Sequence, residues 1–542
     1  MGEETRDETQ VYDLVGVGLG PFGLGLAALV DREKEIDAVF FEQKPDFSWH
    51  PGLLIDGTTL QVPFLADLVT LADPTSPWSF LNYLHCHGRM YRFYFHENFF
   101  VPRREFDAYC RWVAQHLPSC RFSARVESVE HDPEVDLWSL TVREHADEHA
   151  DEHADEHADE HADGSGAAVG VGQTRQVYAR NIALALGSRP VVPDCVTPWL
   201  GETVCHTAGY LPAAAALRSA AAITVLGGGQ SAAEVVLDLL QDQPDHGAAL
   251  TWVTRGRGFL PMEYSKLGLE HFSPEYLAYF HGLPPERRDE IRSGQDLLYK
   301  GISGVTSAAI FDLMYERSID GGDPGLALFS GCELVDISPF PGVGTPPFGA
   351  DVASVSPVPA SGVSWELQLL ERDQGVTWTH RTGALVLGTG YAPTDPACLA
   401  PLQSRIVKDC QGRSQVGRNY QLEVEGIRQA RLFVMNAELH THGIGAPDLG
   451  LGAHRNAVII NQLCGREVYP VRHRTVFQQF GAPVPAPDTI DVPLDVDLDV
   501  PRDVDLDVER GPVVFSDPSD VLNEMSAYQE NRAASPAQKV TS

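Results

Sequence analysis

VYDLVGVGLGPFGLGLAALVDREKEIDAVFFE, residues Val11 to Glu42, decides the fold. An apolar strand over Leu14 to Val17 runs into Gly18-Leu19-Gly20-Pro21-Phe22-Gly23, and a small apolar helix follows through Leu29. A second strand, Ala38 to Phe41, ends on an acid, Glu42, about 20 residues beyond the glycines. Gly18 permits the tight turn, Gly20 lets backbone approach a pyrophosphate, and Gly23 lets the helix pack closely on the strand. The helix N-terminus offers unpaired N–H groups to phosphates, and Glu42 is placed to accept hydrogen bonds from a ribose. Strand, helix and terminal acid in register make this a dinucleotide-binding unit rather than an ordinary glycine turn.

The same logic returns at Ile223-Thr-Val-Leu-Gly227-Gly228-Gly229-Gln230-Ser231-Ala232, with Gly227, Gly229 and Ala232 in the GxGxxA pattern. The strand after its helix, Leu250 to Val253, leads into Thr254-Arg255-Gly256-Arg257 where an NAD site places an acid. Arginines there suit a ribose 2′-phosphate, which points to NADP(H) over NAD(H). A late Leu385-Val-Leu-Gly388-Thr389-Gly390-Tyr391 completes the layout of a flavoprotein with two nucleotides, one site holding FAD and the other delivering hydride to it.

Outward from these units, 542 residues suggest two or three domains. The expected fold class is α/β, with two Rossmann-like dinucleotide-binding domains, the second inserted in the first, and a smaller helical substrate region. The expected bounds are a flexible N-terminus over 1–10, the first part of the FAD domain over 11–215, the NADPH domain over 216–335, the second FAD part and substrate region over 336–480, and a disordered acidic tail over 481–542. Trp78 to His87 and Arg103 to Leu117 have helical spacing, and residues 121–142 read as short strands. Gln61 and Asp67 lie in an apolar, turn-rich stretch, a candidate cofactor wall or a satisfied turn. His440 and His442 stand beside a glycine-rich turn where they are candidates for flavin contact.

The formal net charge of −35 is uneven. Glu144 to Asp163, a repeated HADE, holds ten acids and no Lys or Arg, and Asp488 to Glu509 holds nine acids against Arg502. These two stretches carry more than half of the excess. The HADE tract cannot bury a face and reads as a solvated insertion whose flanking strands pair as a hairpin; its five histidines at i, i+4 spacing leave metal binding as the lesser reading, and no metal site is expected. An acidic body disfavours nucleic acid and anionic membranes as partners. Nine cysteines without a CxxC pair read as reduced thiols, and the polar, acidic start MGEETRDETQ is no signal peptide, so a cytoplasmic protein is expected.

Six stretches together, GVGLGPFGLGLA, FSWHPGL, LQVPFLADLVTLADPTSPWSFLNYL, VLGGGQSAAE, LGTGY and HTHGIGAPDLGLGAHRNAVIINQL, resemble the flavin-dependent N-hydroxylating monooxygenases of siderophore biosynthesis, the lysine/ornithine N-monooxygenase family. The resemblance runs from about Tyr12 to Phe480, the HADE tract excepted. It implies FAD and NADPH as cofactors, O2 and a small-molecule amine as substrates, an amine attacking a C4a-hydroperoxyflavin, and a homo-oligomer. It places cofactor contacts at Gly18, Gly20, Pro21, Gly23, Glu42, Trp49, His50 and Gln61, at Gly227, Gly229, Gln230, Ser231 and Arg255, and at Gly390, Tyr391, Leu449 and Gly450. Gln61 and Asp448 are the candidate catalytic residues.

Departures from the family pattern narrow the substrate. Members acting on lysine or ornithine carry Lys where this chain has Ala66; ornithine enzymes have Asn where it has Ser273 and Ser where it has Gly450. Without a cation, a substrate carboxylate would be buried unpaired at a cost of several kcal/mol. The pattern looks more like the diamine branch, acting on cadaverine or putrescine, with Ala66, Ser273 and Asp448 as substrate residues and Asp448 holding the non-reacting ammonium. The alternatives are a lysine or ornithine N-monooxygenase that binds the carboxylate through another arginine, and, more remotely, a Baeyer–Villiger or S-oxygenating flavin monooxygenase. A disulfide reductase would need a redox cysteine pair, which the sequence lacks.

Overall fold

Strand β1 (Val11–Val17) is the middle of a parallel ladder, with Leu14, Val15 and Val17 buried as a strand covered on both faces requires. Helix α1 (Pro21–Val30) follows it, nine of its ten residues buried, and leads to β2 (Ala38–Phe41), which pairs parallel to β1 with Val17 opposite Phe41. The chain then passes through α2 (Phe80–Cys86), α3 (Met90–His96) and α4 (Arg103–His116), which covers α1 through Phe106, Tyr109, Cys110 and Val113. Burying an aliphatic or aromatic side chain of this kind stabilises by about 1.5–3 kcal/mol.

β3 (Cys120–Arg121), β4 (Ala124–Asp132), β5 (Leu137–Glu144) and β6 (Thr174–Leu184) complete one sheet in the order β3-β2-β1-β6-β5-β4. β5 and β6 are antiparallel, Arg143 opposite Thr174, so the strands flanking the HADE tract form a hairpin. The computed structural model describes residues 10–144, 173–340, 364–394, 396–472 and 474–482. The HADE tract beyond Glu144, the Pro/Gly-rich stretch 341–362 and the acidic tail lie outside them.

After β7 (Ser188–Pro190) a second sheet begins with β8 (Val204–His206). Helix α5 (Tyr210–Arg218) precedes β9 (Ala222–Leu226), and α6 (Gln230–Gln241) precedes β10 (Ala249–Val253) and then β11 (Leu326–Phe329). β12 (Cys332–Phe340), β13 (Ser364–Glu371) and β14 (Val376–Thr382) form a separate antiparallel sheet before β15 (Ala384–Leu387) returns beside β9, giving the order β11-β10-β9-β15-β8. The bounds 216–335 expected for the second unit are therefore too narrow. β8 lies before them and β15 after, and both pair parallel within this sheet. β16 (Tyr391–Pro393) pairs antiparallel with β7, a two-stranded link by which the chain leaves and regains the first sheet. β17 (Arg431–Val434) then adds to β6 beyond the reach of β5, and the helix Gly452–Cys464 packs on α1.

Candidate functional site

The first glycine turn has a local reason at each glycine. Gly18 has φ +96°, and a Cβ there would lie 2.4 Å from the Ala185 carbonyl oxygen; a Cβ on Gly23 would lie 2.2 Å from that of Gly18. Around Gly20 there is nothing within 4 Å, so the turn opens on a space its backbone can share with a ligand. Gly20 is the N-cap of α1 and supplies no side chain, which leaves the first N–H groups behind Pro21 to an external acceptor. Glu42 accepts the Leu19 N–H at 2.9 Å and that of Lys44 at 3.1 Å, which fixes its carboxylate at the rim of the turn. A cradle of this shape, with an acid at the strand end, fits a dinucleotide.

A cleft continues from Pro21 and Phe22 to Ala66, Leu68 and Leu449. Ala66 is buried, and its Cβ lies 3.8 Å from where a Cβ on Gly450 would stand; the Asp448 carboxylate lies 2.9 Å from that point. Burial pushes the Asp448 carboxyl up to about 6, while the N–H groups of Gly450 and Leu451, then Arg455, pull it down. Asp448 is half-buried rather than sealed. Arg455 is committed elsewhere, 3.1 Å from Glu438 and over the ring of Phe22. Tyr264 arrives from the segment after β10: its hydroxyl donates to the Gln61 carbonyl oxygen and lies 3.3 Å from Gln61 Oε1. Burial first, and Asp448 second, push the Tyr264 phenol up to about 12. The structure thus brings Ala66, Asp448 and Gly450 together, and Tyr264, which the sequence reading missed, bonds Gln61 and feels the charge of Asp448.

Four candidates stand elsewhere. Ser273 is buried and its Oγ accepts the Tyr276 N–H as N-cap of the helix Pro274–His281, so no described contact joins it to Ala66 or Asp448. Asp67 is the satisfied turn: its carboxylate accepts the N–H groups of Val69, Thr70 and Phe80 and the Thr70 hydroxyl. His440 Nε2 meets the Ser414 carbonyl at 2.7 Å, and His442 is buried against the Tyr420 ring with Nε2 3.3 Å from the Arg418 carbonyl. Both histidines are committed to the protein rather than to the cleft.

His50, in the left-handed region at φ 49°, sets its ring 5.4 Å from that of Tyr391, beside Trp49. Burial first, then the charge of Arg103, lower His50 to about 4. The backbone N–H of Trp49 donates to Asp107 of α4, and the carbonyl of Gly390, a residue at φ +86°, lies 3.1 Å from His206 Nε2. This cluster sits at the two-stranded link between the sheets.

The second turn repeats the first in its backbone. Gly227 has φ +132° with the Gly388 carbonyl 2.1 Å from a would-be Cβ, and Gly388 itself leaves room for Ala232. Gly229 is the N-cap of α6 and again supplies no capping side chain. Gln230 donates to Glu234 and Thr306 and accepts the Ser303 N–H, so its side chain braces the helix Gly304–Arg317; Ser231 follows it in the first turn. Beyond β10, Arg257 pairs with Asp373 at 3.1 Å, whereas Arg255 is exposed and makes no described hydrogen bond or ion pair. A free cation at that strand end fits a 2′-phosphate.

Among the described residues no cluster of three His, Cys, Asp or Glu could hold a metal, and no helix is long and apolar enough to cross a membrane.

The sequence profile described as L-lysine 6-monooxygenase/L-ornithine 5-monooxygenase matches residues 10–160 and 154–341. The chain is 43% identical over 477 residues to the rhizobactin siderophore biosynthesis protein RhbE of Rhizobium meliloti, covering 87% of this chain and 95% of that protein. It is 36% identical to a putrescine N-hydroxylase of Shewanella oneidensis, covering 90% and 87%. Among solved structures, the FAD-bound cadaverine monooxygenase DfoA of the desferrioxamine pathway in Erwinia amylovora superposes with a TM-score of 0.76 at 38% identity, over 88% of this chain and all of that one.

Proposed function

The chain belongs to the L-lysine 6-monooxygenase/L-ornithine 5-monooxygenase family of NADPH-dependent flavin N-monooxygenases, and from that premise we propose that it hydroxylates one primary amine of an aliphatic diamine, cadaverine or putrescine, for hydroxamate siderophore biosynthesis. The observation that carries the diamine reading is the Ala66–Asp448–Gly450 cluster, in which an acid stands beside the position where an amino-acid substrate would need a cation. The similar proteins named for putrescine and cadaverine agree with it.

When bound, NADPH would supply the two electrons and FAD would pass them to O2. The first turn and Glu42 would hold the FAD, with Trp49, His50, Gly390, Tyr391, Leu449 and Gly450 nearby; Gly227, Gly229 and Ser231 would take the NADPH pyrophosphate and Arg255 its 2′-phosphate. Asp448 pairs with the distant ammonium and so fixes how far along the chain the reacting amine is held. Gln61, its backbone carbonyl fixed by Tyr264, presents an uncharged amide to the reacting amine, which, unlike a carboxylate, adds no negative charge to hold the amine as ammonium. The cytoplasm is the compartment that suits nine cysteines of which none is paired. Self-association is the reading for helix α3, which buries none of its residues and leaves Tyr91, Tyr94 and Phe95 at least 70% exposed; light scattering reads the mass directly.

The decisive experiment is product analysis by mass spectrometry with FAD, NADPH and, in parallel, cadaverine, putrescine, lysine and ornithine. One added oxygen on the diamines is the expected result. Oxygen added to lysine or ornithine alone would keep the family and remove the role given to Asp448.

A further inference from the structure

Arg103 is the first residue of α4, where a cation opposes the positive end of the helix dipole, and Glu234 is an acid among alanines and valines on the buried side of α6. Each breaks a local rule, and each is answered by the other. Arg103 Nη1 lies 2.6 Å from Glu234 Oε2, and Nη2 lies 2.8 Å from Oε1, a bidentate pair 131 residues apart in sequence with the two side chains 13% and 3% exposed. α4 packs on α1 of the first nucleotide fold, and α6 packs on β9 and β10 of the second. Glu234 Oε1 also accepts from Gln230 at 2.9 Å, and Gln230 opens α6 directly after Gly229. A rigid chain of contacts therefore runs from the first fold to the glycine turn of the second.

We propose that the Arg103–Glu234 pair is a positioning latch, which fixes the second nucleotide turn against the first fold so that hydride donor and acceptor are held at reacting distance. The inference rests on the two-nucleotide reading above, and it is independent of which amine is oxidised. A bidentate fork fixes angle as well as distance, which a single lysine contact would not. The link β7–β16 and the packing of Leu53 and Ile55 among Tyr210 and Leu217 also join the two folds; the bidentate pair is the contact that reaches the start of α6.

The test uses the purified flavoprotein as Arg103→Gln, Glu234→Gln and the double variant Arg103→Met/Glu234→Met, with two readouts. The first is hydrogen exchange over Gln230–Gln241 and Arg103–His116. The second is anaerobic flavin reduction by NADPH, which needs no amine. A latch predicts faster exchange at the start of α6 and, because a misplacement of about 1 Å costs on the order of 100-fold, a comparable fall in the reduction rate. The dissociation constant for NADPH changes by less than about threefold. The double variant leaves no lone buried charge, so it regains thermal stability yet stays slow. Unchanged exchange in the single variants, or a double variant that regains reduction together with stability, overturns the latch. An unsubstituted enzyme whose flavin NADPH does not reduce would sink the functional reading instead, and exchange would still decide the latch.

Discussion

At the first glycine turn a Cβ on Gly18 would stand 2.4 Å from a carbonyl oxygen, and at the second a Cβ on Gly227 would stand 2.1 Å from one, with both residues at positive φ. The strand ends behind the two turns are opposite in sign. Behind the first, Glu42 folds back and accepts the Leu19 N–H; behind the second, Arg255 projects free of any described partner. The shared backbone suits the part that two dinucleotides have in common, and the strand ends suit the part in which they differ, a ribose hydroxyl at one and a phosphate at the other. Fold and cofactor choice are thus carried by different atoms and should fail separately.

The largest effects come from breaking each turn. In either Gly18→Ala or Gly227→Ala, left-handed strain of about 1–3 kcal/mol is joined by overpacking of about 1–3 kcal/mol against backbone that cannot move aside. Gly18→Ala should purify without flavin, read by absorbance near the flavin band against protein. Gly227→Ala should keep its flavin and lose reduction by NADPH. Loss of flavin from both would show that the two turns do not act separately.

A second charged group on the first fold sharpens the contrast from the substrate side. Losing a charge-assisted contact worth about 1.5–3 kcal/mol, Asp448→Asn should raise the KM for diamine roughly 10–150-fold with flavin content unchanged. The carboxyl pushed up to about 6 adds a pH dependence. Below about pH 6 it is protonated and no longer pairs with ammonium, so KM rises as pH falls through that value. The native state then holds a proton that the unfolded chain, with an ordinary carboxylate near 4, has released, so this group's contribution to stability falls as pH rises from about 4 to about 6. Asp448→Asn therefore raises Tm at pH 7.5 while impairing substrate binding. An unchanged KM would remove Asp448 from the substrate site.

Arg255→Ala tests the other strand end. A single exposed cation on a phosphate is worth about 1.5 kcal/mol, roughly tenfold in affinity for NADPH, and nothing for NADH, which lacks the 2′-phosphate. Equal losses for the two cofactors would mean that the strand end does not distinguish them.

The turns were legible because their strand, glycines, helix and terminal residue all fall within a span of about 30 residues, even though the carbonyls that crowd Gly18 and Gly227 come from far along the chain. The Arg103–Glu234 pair and the Tyr264–Gln61 contact were not, since their partners lie 131 and 203 residues apart. The pair did leave a trace, a cation at a helix start and an acid in an apolar helix, two charges unexplained by their neighbours. Ser273-Pro274-Glu275 reads by resemblance as a substrate position although it is a helix-start signal, an N-cap followed by proline and an acid. The bound at 216 falls late because Val204–His206 is a strand of three residues, too short for alternation to show.

The smallest effect should come from the feature most conspicuous in the sequence. Glu144 and Gln173 are hydrogen-bonded neighbours, N to O at 2.9 Å, and Arg175 pairs with Glu144 at 2.8 Å, so the HADE tract leaves and re-enters the sheet at one place. It does so at the start of β6, whereas the first glycine turn lies beyond the end of that strand, where Leu184 pairs with Val17. Ten steps along a strand at about 3.3 Å each separate the two by about 33 Å. Replacing residues 145–172 by a four-residue turn shortens the loop by nearly three halvings, each worth about 0.6 kcal/mol of closure entropy. The shortened enzyme should keep its flavin and its rate of product formation, and melt at the same temperature or slightly above. A fall in flavin content would mean that the tract reaches the nucleotide after all, and the separation of fold from insertion along β6 would not hold.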